Sequence, residues 1–157
     1  MDLLRAAPLL IAILTLMTGC STLRAHRDPW CGHLAAFANS AQVETAQSIE
    51  LVTDWAEWSK WCVDHGTEAG QQFCRWLIPN TSTEFASANI RHALACLDPT
   101  ALHAGRSRST PVYMTGKVRV YGAPMIDEDV MVTVEYADGI EGQRPHMKIQ
   151  AERDPPL

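Results

Sequence analysis

Side chains able to do chemistry fall into three groups in this chain of 157 residues. The first is four cysteines, Cys31, Cys62, Cys74 and Cys96, which could hold a metal, act as nucleophiles or pair as disulfides. Their spacing contains no Cys-x-x-Cys, and His33, His65 and His92 form no paired ligand motif, so no metal site is expected. The second is the acidic run Asp127, Glu128 and Asp129. Two convergent carboxylates would serve glycan cleavage, and an acidic turn would take calcium, but the run falls between two expected strands, where a solvated turn accounts for it. No Gly-x-Ser-x-Gly occurs, which speaks against a serine hydrolase. The third group is aromatic: Trp55, Trp58 and Trp61 recur every three residues in "DWAEWSKWC", near one helical face. A tryptophan face stacks on sugar rings or anchors a protein interface. The simplest packing account instead has Trp58 and Trp61 plug the space between helices and sheet.

A fifth cysteine has a different setting. Residues 6–16, "AAPLLIAILTL", form an apolar stretch about half as long as a membrane span requires, after a short head carrying Arg5. That length suits an export leader. The stretch runs into Met17, Thr18, Gly19 and Cys20, which resemble the lipobox of bacterial lipoproteins, a small residue directly before a cysteine. The resemblance implies that the leader, residues 1–19, is removed and that Cys20 is acylated, palmitate included. It further implies a lipid bilayer as the first partner and a bacterial cell envelope location, with the domain on the periplasmic side. Ser21 after the cysteine favours outer over inner membrane sorting in such proteins. Residues 20–28 would then be a lipidated tether, containing Arg24, His26 and Arg27, and residues 29–157 a single globular domain. Loss of the leader removes one acid and one base, so the formal charge stays at −5 and nucleic acid is not an expected partner.

An exported domain meets an oxidising compartment, so the four remaining cysteines are expected as two disulfides. Their pairing depends on the elements. Asp28 before Pro29 starts a helix that runs to about Ser40. A strand is expected near residues 48–53, and a second helix over 67–78, stopped by Pro79. A third follows a capping box of Thr81 and Glu84, with Ala86, Ile90, Ala93, Leu94 and Leu97 on one face. If the second and third helices form an antiparallel hairpin, Cys62 pairs with Cys96 and Cys31 with Cys74. The alternative joins Cys62 to Cys74 and Cys31 to Cys96.

From Thr110 the period becomes two: "KVRVY", "DVMVTVEY" and "HMKIQA" read as an antiparallel meander, with the polar connection "HAGRSRSTP" between helices and sheet. The expected fold class is α+β, with about three helices on one face of a small antiparallel sheet of three strands, four if residues 48–53 join it. The expected function is a noncatalytic envelope interaction or accessory module, an inhibitor or immunity protein being one version, with an envelope protein or peptidoglycan as partner and no cofactor. The alternative is an envelope enzyme acting on cell-wall glycan or peptide, which would need a cleft gathering histidines or acids from separate segments.

Overall fold

The computed structural model describes residues 28–98, 115–139 and 144–156. The leader, Cys20, the tether up to residue 27 and the "HAGRSRSTP" connection lie outside the described residues. Among those described, three helices and a five-stranded antiparallel sheet make an α+β fold: α1 (Pro29–Asn39), β1 (Gln47–Asp54), β2 (Ser59–Val63), α2 (Glu68–Asn80), α3 (Ala86–Leu97), β3 (Thr115–Tyr121), β4 (Val130–Ala137) and β5 (His146–Arg153). No helix among the described residues is long and apolar enough to cross a membrane.

The α1 start follows from its first two residues. Asp28 accepts a hydrogen bond from the Trp30 amide at 2.9 Å, and Pro29 occupies a first-turn position whose N–H would be unpaired anyway. Trp30, Cys31, Leu34, Phe37 and Ala38 then recur at helical spacing and are buried. Strand β1 alternates in the same sense, burying Ile49 and Leu51. The expected meander is present as β3, β4 and β5. The sheet order is β2-β1-β5-β4-β3, so β5 pairs with both β1 and β4 and joins the two hairpins. Ile49, Leu51, Val132, Val134, Met147 and Ile149 share one core cluster with Leu34, Phe37, Phe73, Leu77, Ile90 and Ala93. At the alternate register positions Glu50, Lys148, Glu135 and Lys117 form one cross-strand row of alternating charge, within which Lys117 pairs with Glu135 at 3.2 Å.

Four expectations are corrected. The strand count is five, because "SKWCV", expected as part of a tryptophan-bearing helical face, is β2. Asp54 closes a tight turn and returns the chain against β1, which cuts the three-residue period. The disulfides are Cys31–Cys96 and Cys62–Cys74, with Cα separations of 5.1 and 5.4 Å, rather than Cys62–Cys96 and Cys31–Cys74. The reason is the helix arrangement: α1 packs against both α2 and α3, which brings its first turn to the end of α3, while β2 lies along α2.

Pro79 does not stop α2, which runs to Asn80; the Asn80 and Thr81 side chains donate to the carbonyls of Trp76 and Leu77 at 2.8 and 2.6 Å. The capping box is also absent. Thr81 is turned back onto α2, and Phe85 precedes α3 without a side-chain cap. Instead Ser82 accepts from the Phe85 amide, Asn89 clasps both backbone groups of Ser82 at 2.8 Å, and the carboxylate of Asp138 accepts from the Ser87 amide. The α3 start is thus held by Asn89 of its own first turn, which fixes the preceding segment, and by Asp138 just after β4.

Candidate functional site

The three tryptophans lie on one hairpin, β1–β2, and on its outside. Trp58 is 72% exposed, Trp55 61% and Trp61 37%, so the expectation that Trp58 and Trp61 plug the core is corrected. The core tryptophan is Trp30, which meets Phe73 and Trp76 edge-on and stacks on His92 at 5.5 Å.

The hairpin that carries them is closed by Asp54. One carboxylate oxygen accepts from the amides of Ala56 and Glu57 at 3.1 and 3.2 Å, satisfying two backbone donors that a four-residue loop leaves open. The Trp58 amide donates to the Trp55 carbonyl at 3.3 Å. To re-enter the ladder at Ser59, Trp58 takes a left-handed backbone with φ of +50°. Such a conformation suits glycine or asparagine and costs a bulky residue about 1–2 kcal/mol.

Three ties fix the hairpin to the body. The second Asp54 oxygen pairs with Arg144 Nε at 3.1 Å, and the Arg144 guanidinium lies over the Trp61 ring at 5.3 Å. The Thr53 amide donates to the Pro145 carbonyl at 3.0 Å. On the other side Lys60 Nζ donates to the Thr81 carbonyl at the end of α2, and burial there pulls the lysine pKa below its ordinary value. The Cys62–Cys74 disulfide lies two residues further on. Two large indole faces, Trp55 and Trp58, are therefore displayed on a braced loop, and a third, Trp61, is partly covered by a cation.

Arg144 and Lys60 are the residues sequence reasoning missed. Arg144 lies outside every periodic segment, and only its position just before "HMKIQA" hints at a strand end. The acidic run is spent structurally: Arg153 binds Asp129 at 2.6 Å and Asp127 at 2.7 Å. The same guanidinium donates to the carbonyls of Ala41 and Asn39 at 2.9 Å, tying the end of β5 to the end of α1. Its two carboxylates hold Arg153 firmly protonated.

One cavity of about 490 Å³ lies between the end of α1 and the start of α2, lined in part by His33, Gln47, Glu68 and Gln72. Several of its polar groups are engaged with one another. Gln47 donates to the Phe37 carbonyl and to Ser40, Gln72 donates to Glu68, and His33 is stacked on Trp76 at 4.4 Å. Among the described residues no three His, Cys, Asp or Glu side chains are grouped as a metal site. Comparison with protein-family models, curated proteins and solved structures yields no match to the chain.

Proposed function

We propose that this protein is a noncatalytic, membrane-anchored lipoprotein of the bacterial envelope, whose working surface is the tryptophan hairpin. The helices cover the apolar face of the sheet and leave the charged row on the other, and the domain is held to the bilayer through acylated Cys20. The observation that carries the reading is the exposure of Trp55 and Trp58 on a loop braced by Asp54, Arg144, Lys60 and a disulfide. Displaying such side chains to water forgoes roughly 1.5–3 kcal/mol each of burial, a cost that an envelope component covering them would recover. A preorganised aromatic loop also loses little entropy on binding. An inhibitor or immunity role is one form of this module.

An envelope enzyme would use the cavity beside His33 and Glu68. That alternative is less well supported, because Gln47 and Glu68 in the cavity are bonded to neighbouring groups and the His33 ring is stacked on Trp76.

A photo-crosslinking residue in place of Glu57, the exposed position between the two tryptophans, tests the reading in intact cells. Adducts with an envelope component are expected at this position and not at Lys117 on the far edge strand. Equal labelling at both positions, or none at either, would reject the hairpin as a working surface.

A further inference from the structure

We infer that the surface covering the tryptophan hairpin is the headgroup layer of the same bilayer that holds Cys20, so that the hairpin fixes the orientation of the domain on its membrane. This deepens the proposed function and rests on the lipoprotein reading. Contacts place the point where the tether enters and the hairpin at one end of the molecule. Asp28, the first described residue, caps α1 beside Trp30, and Trp30 meets Trp76 at 6.2 Å, one turn from the end of α2. At that end Thr81 receives Lys60, whose ladder partner Thr53 directly precedes the loop-closing Asp54.

Phe85, 57% exposed, lies in the turn that follows Thr81. Trp55, Trp58 and Phe85 are thus three exposed aromatic side chains at the end of the molecule from which the chain leads back to Cys20.

The length of that connection decides the occupant. Eight residues separate Cys20 from the domain, 21–28, and they span at most roughly 30 Å when fully extended. An acylated Cys20 therefore keeps this end within about one domain diameter of the lipid surface. A cell-wall strand or a soluble partner would have to enter that gap, whereas the headgroups are already in it. Tethering also makes the contact intramolecular, at an effective concentration in the millimolar range, so even weak aromatic insertion is populated. Tryptophan prefers the headgroup level over the hydrocarbon interior. Glu57 and Glu84, both exposed beside these rings, hold the loop at that shallow depth. Arg24, His26 and Arg27 in the connection add attraction to anionic lipids.

The test uses the full chain, processed by the host and reconstituted into vesicles of phosphatidylethanolamine and phosphatidylglycerol. The lipids carry bromine either high or low on the acyl chain. The shallow bromines should quench a blue-shifted part of the tryptophan emission. In a Trp55→Ser/Trp58→Ser variant that component should be lost, with a melting temperature no lower than the parent's. Quenching absent from the acylated protein would overturn the inference while leaving the lipoprotein reading intact. Protection of the same tryptophans from aqueous acrylamide by soluble peptidoglycan fragments, and not by lipid, would overturn it in favour of a glycan. Mass spectrometry showing Cys20 unacylated would reject the underlying reading itself, and this inference with it.

Discussion

Trp58 is a large apolar side chain that is exposed, and so gains little from burial, on a left-handed backbone that opposes stability. Replacing it with asparagine, which tolerates that backbone, should raise stability by about 1 kcal/mol, read as a melting temperature higher by roughly 3 °C. A core tryptophan would respond with a loss of about 3–5 kcal/mol instead. Asp138 offers a second test at this scale. Burial raises its pKa above the usual carboxylate range, and the Ser87 amide and Arg91 offset only part of that. The native state therefore holds this proton more tightly than the unfolded chain. Stability from this group is fully present below the ordinary value of 3.8 and declines as pH rises through the raised native value. Asp138→Asn should thus be more stable than the parent near neutral pH and equal to it in acid below that ordinary value, as read from urea midpoints at the two conditions. The sequence made the types of these residues plain but not their surroundings. Three tryptophans at spacing three fit a helix face, a core plug or a turn, and the choice belonged to Asp54, whose loop-closing bonds have no periodicity to reveal them.

Elements were more legible where one face is buried. The α1 start, β1 and the β3-β4-β5 meander follow from capping and from the two-residue alternation. The short β2 did not, because its five residues include only partial burial on either side and its partner is local. Disulfide pairing failed at the same scale: the expected α2–α3 hairpin ignored α1 as their shared neighbour, and the alternative pairing is the one observed. The two bridges should differ in weight. Cys31–Cys96 closes a chain separation of 65 and Cys62–Cys74 one of 12. Loop entropy then predicts losses of about 4 and about 3 kcal/mol when each pair is replaced by alanine. Denaturant titration of the two double variants gives the order, and a nonreduced digest gives the linkages. Finding Cys62 joined to Cys96 would refute the helix arrangement described above.

At the scale of the whole molecule, the proposed lipid attachment at Cys20 can be tested apart from the fold. Cys20→Ser should abolish labelling by radioactive fatty acid and leave a leader-bearing precursor; persistent labelling would remove the lipobox reading.

The sheet order also sets a timetable. Strand β5, residues 146–153, is the inner strand that joins β1 to β4, yet it follows every other strand of the sheet in the chain. In a chain that emerges with its N-terminal end first, β1 and β2 arrive as a two-stranded ribbon, which is marginal in water by itself. Ile49 and Leu51 then lack their cross-strand partners Ile149 and Met147. All four cysteines of the two bridges emerge before β5, so oxidation can run ahead of sheet closure. A chain ending at residue 145 should therefore acquire the Cys62–Cys74 link and still be cut rapidly by added protease, whereas the chain that includes β5 should resist. Until β5 arrives the sheet is two unjoined hairpins, and the chain is then most open to proteolysis.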